Sequence, residues 1–219
     1  MKLSHQLKQA VFSMVATLVL VVVSIYQLDL PLAAWCAERE WSYSLRAAAT
    51  KMPALSSVVV TLASLGWIAY LFLASRNASR STRSFCLITG TALPLSFGVK
   101  VVLKWVFGRT ETLNWLKHLD PDRFHWFAGK AGYLSFPSGH MLVLTPLILA
   151  LWQFYPRYRV YYALAWCCLG AALTATSEHF LSDVLAGAYF GSIIYLATSR
   201  AIEAIESRMP RLSMATSRQ

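Results

Sequence analysis

Apolar stretches long enough to cross a bilayer alternate along this chain with short segments where the charges collect. Crossing about 30 Å of hydrocarbon takes roughly 20 residues of helix. Runs of that order, nearly free of charge, occur near 10–30, 55–75, 85–107, 139–156, 158–177 and 183–200. The pattern predicts an all-α fold, an integral membrane bundle of six transmembrane helices in one domain over 1–219, with 201–219 as a cytoplasmic tail. Pro94 and Pro146 fall inside two of these spans. They are expected to kink them, which neighbouring helices in a membrane tolerate. In "CAEREWSYSLRAAATK", Trp41 and Leu45 share one helical stripe, which predicts a short interfacial helix.

Composition agrees with the bilayer as solvent. With 57% hydrophobic and only 14% charged residues, the chain has too little polar surface to cover a soluble domain of its size. Lys2 and Lys8 precede the first span as they would precede a signal peptide. The apolar part is longer than a signal core, however, and "LDLPLAAWCAERE" is a poor cleavage site, so the span reads as a retained helix. Cys36, Cys86, Cys167 and Cys168 show no metal-ligand spacing and read as packing residues.

The net charge of +10 matters less than its placement. Lys2 and Lys8, then Arg76, Arg80 and Arg83, then Arg157 and Arg159, then Arg200, Arg208, Arg211 and Arg218 fall on alternate sides of a six-span chain. The positive-inside rule makes that side cytoplasmic, with both termini on it, and removes the need for a nucleic-acid partner. The expected location is a bacterial-type inner membrane. Loops near 31–54, 108–138 and 178–182 go to the outer face. The longest, 108–138, has Trp105, Trp115 and Trp126 in or beside it, as a segment at headgroup level would.

Ionisable groups in membrane helices are costly and mark function. Three clusters stand out, all assigned to the outer face. In "KVVLKWVFGRTET", Lys100 and Lys104 share a helix face, with Lys100 about 6 Å deeper, and Arg109 follows a glycine past the helix end. Snorkelling cations at a helix C-terminus explain the lysines; a clamp for an anionic group explains them together with Arg109. In "FPSGHMLVL", Ser138 is a candidate N-cap and Gly139 allows close backbone approach, leaving free N–H groups as an anion cradle beside His140. A capped turn accounts for Pro137, Ser138 and Gly139 but not for His140. In "TSEHFLSDVLAG", His179 and Asp183 are one helical turn apart. The carboxylate can hold one imidazole nitrogen and leave the other bare as nucleophile or base. A helix start capped by Ser182 or Asp183 would explain the same letters. His140, His179, Asp183 and Glu178 are also candidates to converge on a metal, although no compact pair such as His-Glu-x-x-His supports one.

Lys104 to Arg109, then Pro137-Ser138-Gly139-His140, then His179-x-x-x-Asp183, placed at the ends of successive spans, resemble the type 2 phosphatidic acid phosphatase (PAP2) superfamily, whose membrane members are six-span lipid phosphatases. The resemblance covers about Lys100 to Gly187. It implies His179 as nucleophile forming a phosphohistidine, Asp183 as its orienting partner and His140 as acid to the leaving oxygen. Lys104 and Arg109, with the backbone of Ser138 and Gly139, would bind the phosphate, with no metal and no cofactor. The chain departs from the family at two places. Its first motif expects Arg-Pro where Glu111 and Thr112 stand, and its third expects Ser-Arg where Ala172 and Leu173 stand; Lys100, Arg123 and Lys130 are candidates to make up the missing charge. The implied function is removal of phosphate from a lipid phosphate or diphosphate monoester at the outer face of the membrane. A lipid phosphotransferase using the same intermediate, and a non-catalytic lipid-binding or transport protein, are the alternatives. The oligomeric state is left open.

Overall fold

In a computed structural model, residues 2–39, 55–76, 79–119 and 123–216 are described. The interfacial helix expected around Trp41 and Leu45 lies outside them. Helix α1 (Lys2–Val23) passes through one π-helical turn at Ser24–Leu28 into α2 (Asp29–Ala37). Then follow α3 (Leu55–Ser75), α4 (Arg80–Phe107), the short α5 (Thr112–His118), α6 (Gly139–Phe154), α7 (Arg159–Ala175) and α8 (Leu181–Thr216).

The all-α architecture agrees with the sequence pattern, and a helix stands over each of the six apolar runs. Among the described residues, three are long and apolar enough to cross a membrane: Val11–Ala37, Arg80–Phe107 and Leu181–Ser207. Thr61–Leu73 and Gly139–Phe154 are shorter apolar helices. Two details add to the sequence pattern. The 108–138 loop contains α5, and α8 continues to Thr216, through the segment read as a tail from 201.

Helix α8 is central, packed most extensively on α6 and also on α1 and α4. Small residues make that packing possible. A Cβ on Gly187 would meet the Ser138 carbonyl oxygen at 2.6 Å, and one on Gly191 would meet the Leu142 carbonyl oxygen at 2.7 Å. Glycines four residues apart thus let the α6 backbone lie against α8, the small-residue packing by which membrane helices associate where hydrocarbon gives no hydrophobic drive. Beside this seam, Ala92 and Leu93 of α4, Leu142 and Val143 of α6 and Ile194 of α8 form a buried cluster. The outward faces keep Phe12, Leu18, Val102, Tyr161 and Leu164 exposed, an exterior suited to lipid and not to water.

The two ends of the bundle differ. At one, Phe85 near the start of α4 packs on Phe154 and Tyr155, and Arg80 Nε lies 3.0 Å from a Glu206 carboxylate oxygen on α8. At the other, α4 finishes where α6 and α8 begin, so the three polar clusters of the sequence arrive at a common place.

Candidate active site

Gly108 decides where Arg109 goes. Helix α4 ends at Gly108 with φ 54°, its N–H donating to the Lys104 carbonyl. A Cβ there would stand 1.8 Å from the His125 carbonyl oxygen, so only glycine fits this left-handed turn. The turn sends the chain back across the bundle end, where Arg109 bridges to Phe124.

Arg109 is completely buried. Its Nη1 donates to an Asp183 carboxylate oxygen at 2.5 Å and to the Ser182 hydroxyl at 2.6 Å. Its Nη2 donates to an Asp29 carboxylate oxygen at 2.7 Å. The guanidinium also lies 4.5 Å from the Phe180 ring centre and 5.1 Å from that of Phe124. Buried charges persist when paired, and here a planar fork joins two carboxylates through Nη1 and Nη2, while Nε is buried without a hydrogen-bond partner. Arg109 therefore sits behind Asp183. It is absent from the cavity wall where a phosphate clamp was expected.

Asp183 is held on all sides. Besides Arg109, its carboxylate accepts from the Ser135 hydroxyl at 2.5 Å and from the Phe180 N–H at 3.0 Å. The second contact is a first-turn acid reaching back over its own helix start, the geometry of a capping box. The His179 Nδ1 lies 3.6 Å from Asp183 Oδ2 and 3.5 Å from the Ser135 hydroxyl. Both partners face Nδ1, which leaves Nε2 as the nitrogen available to the cavity. Ser135 is in turn fixed by its own N–H, which donates to the Arg109 carbonyl at 3.1 Å.

In front of His179 opens a cavity of about 930 Å³. Lys100, Lys104, His140, Glu111 and Glu178 line it with His179, and Phe97, Val101, Val102 and Trp105 make one side apolar. The His140 and His179 ring centres are 6.3 Å apart, room for one tetrahedral group between them. The Lys104 ammonium donates to the Leu134 carbonyl, and the Lys100 ammonium lies 3.8 Å from the Phe97 ring centre. Gly139 belongs to the lysines as much as to an anion: a Cβ there would stand 2.6 Å from Lys100 Cδ and 3.6 Å from Lys104 Cε. Its absence lets both stems lie over the start of α6.

Ser138 occupies the N-cap position of α6, but its side chain makes no capping bond. The buried hydroxyl has no hydrogen-bond partner, while its N–H donates to the Asp183 carbonyl at 2.9 Å and its carbonyl accepts from Leu142 N–H at 3.0 Å. Ser138 thus ties α6 to α8 through its backbone. The structure gathers Lys104, Gly139, His140 and His179 on one cavity, with Asp183 behind His179, and puts Arg109 and the Ser138 side chain away from its wall. Arg123 is committed elsewhere, to the Ile25 carbonyl. Among the described residues, no group of three or more His, Cys, Asp or Glu side chains comes together to hold a metal ion.

Two members of the arrangement escaped sequence reasoning. Ser135 lay in a loop with no periodicity to place it. Asp29 did carry a signal, as a carboxylate inside the apolar run "VSIYQLDLPLAAW", and intramembrane acids are functional candidates by default. It is fully buried against Arg109; its carboxylate also accepts from the Ser182 N–H at 2.9 Å and the Ser182 hydroxyl at 2.5 Å.

The sequence model of the PAP2 superfamily matches residues 83–206. The protein named Lipid A 1-phosphatase from Rhizobium etli is 36% identical over 87 residues, covering 36% of this chain and 38% of that relative. Its namesake from Rhizobium johnstonii is 34% identical over 87 residues, 36% of this chain and 36% of the relative. The matched stretch therefore spans less than two-fifths of the length of either curated relative. No solved structure matches the chain.

Proposed function

Because the chain belongs to the PAP2 superfamily, we propose that it is a membrane phosphatase that removes phosphate from a lipid phosphate through a phosphohistidine on His179. The observation that carries this reading is the pairing across the cavity: His179, backed through Nδ1 by Asp183 and Ser135, faces His140 with its ring centre 6.3 Å away, beside Lys104.

The chemistry follows from these positions. His179 Nε2 attacks phosphorus, forming the N–P bond while the bond to the lipid oxygen breaks. His140 gives the proton that the departing oxygen takes up. Asp183, held by Arg109, Ser135 and Phe180 N–H, keeps the ring in place and offsets the positive charge that grows on it. Lys104, Lys100 and the N–H groups at the start of α6 neutralise the phosphoryl oxygens. Water then attacks phosphorus, His140 receives its proton, the N–P bond breaks, and phosphate leaves. No metal or cofactor enters the scheme.

The apolar side formed by Phe97, Val101, Val102 and Trp105 suits the tail of a lipid, so the scissile phosphate lies at headgroup depth. The end of the bundle that carries Arg80, Arg157, Arg159 and Arg200 is then cytoplasmic by the positive-inside rule, with both chain termini on that side, and the cavity opens at the outer face of a bacterial inner membrane. The names of the two relatives put a lipid A 1-phosphate first among candidate substrates, ahead of phosphatidic acid, phosphatidylglycerol phosphate and undecaprenyl diphosphate.

The test is phosphate release from a panel of these four lipids by the full chain in detergent, with and without chelator. Chelator-resistant release from at least one lipid, abolished in His179→Ala, is the expected result. Release that survives His179→Ala overturns the phosphohistidine, and no release from any lipid overturns the phosphatase.

A further inference from the structure

The carboxylate of Asp29 belongs to the first membrane helix, outside the family-matched region, yet it reaches the group behind the proposed nucleophile. We propose that Asp29 is a positioning residue for the phosphatase reaction, acting through Arg109 and Ser182 to keep the buried group behind His179 net negative and Asp183 in place. The proposal rests on the phosphohistidine reading of His179.

Local backbone structure brings Asp29 there. In the π-helical turn before α2, the Asp29 N–H donates to the Ser24 carbonyl, five residues back. The Ile25 carbonyl, which an α-helix would have paired with that N–H, instead accepts from Arg123. One turn of altered winding thus rotates α2 relative to α1 and pins the outer loop to the first helix. Single π turns often occur at functional sites. From this place Asp29 makes three bonds to the start of α8 and its surroundings: Ser182 N–H, Ser182 hydroxyl and Arg109 Nη2.

Charge counting gives the reason for a second acid. Arg109 bonded to Asp183 alone would make a neutral pair, and the carboxylate behind His179 would lose most of its field. Arg109 is shared, its Nη1 on Asp183 and its Nη2 on Asp29, so one cation serves two carboxylates. The buried group keeps one negative charge, which the cationic imidazole formed during attack offsets. Removing Asp29 frees Arg109 to neutralise Asp183, and it also releases the Ser182 N–H at the start of α8 from its acceptor. Both changes act on the rate of attack, and neither Asp29 nor Ser182 lines the substrate cavity.

The test uses the full chain in detergent and whichever lipid phosphate of the panel it hydrolyses. Asp29→Asn, which retains shape and loses charge, is expected to lower kcat by about tenfold or more with KM within about twofold, and to slow formation of acid-labile phosphoprotein in rapid-quench trapping by the same factor. Asp29→Glu is expected to recover part of the loss, and Ser182→Ala to show a smaller fall in kcat. Full kcat in Asp29→Asn, or a rise in KM matching the fall in kcat, overturns the proposal. If Asp29→Asn does not fold, Asp29→Glu and Ser182→Ala decide by the same split, and unchanged kcat in both overturns it. His179→Ala is assayed alongside: activity retained there sinks the phosphohistidine reading itself, whereas an inactive His179→Ala beside a fully active Asp29→Asn sinks only the role of Asp29.

Discussion

The two sides of His179 are built on opposite plans. Behind it, Arg109, Asp29, Asp183, Ser182 and Ser135 are nearly or wholly excluded from solvent, and the carboxylates meet their donors at 2.5–3.0 Å. In front, the lysines of a broad cavity have fewer partners, Lys104 one carbonyl and Lys100 a ring face. A densely bonded back and a sparsely bonded front suit the proposed reaction, in which the nucleophile must be aimed and the substrate must come and go. Paired, desolvated charges fix geometry at a high cost of disruption; cations on flexible stems give attraction at a low one.

The sharpest break is at the boundary between the two. His179→Ala removes the proposed nucleophile and is expected to lower phosphate release by roughly 10⁴-fold or more, with little change in the thermal midpoint, since the side chain lies 3.5 Å or more from its partners in the back. Activity measured against inorganic phosphate release settles it. A His179→Ala protein that still turns over moves the chemistry to another residue.

Next comes the back alone. Arg109→Ala leaves two carboxylates buried without their cation, a loss of about 3–5 kcal/mol by the measure of broken buried pairs. The expected outcome is a lowered thermal midpoint in detergent together with loss of kcat. Had Arg109 been a phosphate clamp, its removal would raise KM and spare stability, so the two measurements together separate a positioning arginine from a binding one.

That contrast also marks the limit of what the sequence carried. The apolar runs were legible because a bilayer enforces one period and one length, and the helices stand where the runs are. His140, His179 and Asp183 could be proposed as a group because spacing along a helix or at its start is local, and the structure brings them to one place. Arg109 was legible as important but misplaced, because its direction depends on a left-handed turn at Gly108 and on where the 123–135 segment returns, which no local pattern encodes. Ser135 reaches Asp183 from 48 residues away in sequence, and Asp29 reaches Ser182 from 153. Contacts of that separation follow from helix packing, and Asp29 offered only the bare anomaly of an acid in an apolar helix.

The front is tested by Lys104→Ala. A lost charge-assisted contact to phosphate costs about 1.5–3 kcal/mol, which is roughly a 10- to 150-fold rise in KM. The thermal midpoint should hardly move, because the ammonium gives up a single carbonyl bond. A fall in stability comparable with that of Arg109→Ala would place Lys104 with the back and dissolve the comparison.

The smallest expected effect concerns Ser138, which touches both sides. Its N–H holds the Asp183 carbonyl at 2.9 Å, while its hydroxyl is buried and without a partner. An alanine keeps the N–H and removes only the hydroxyl. Because an unpaired buried hydroxyl has already lost its bond to water and gained nothing, deleting it should leave stability within about 1 kcal/mol, with any change toward greater stability. KM and kcat should be unchanged on the same grounds, since neither the tie to Asp183 nor the start of α6 depends on that oxygen. A KM raised about tenfold by Ser138→Ala would show that the hydroxyl turns toward a bound phosphate. The front would then extend past Gly139 to the residue that holds the back in place.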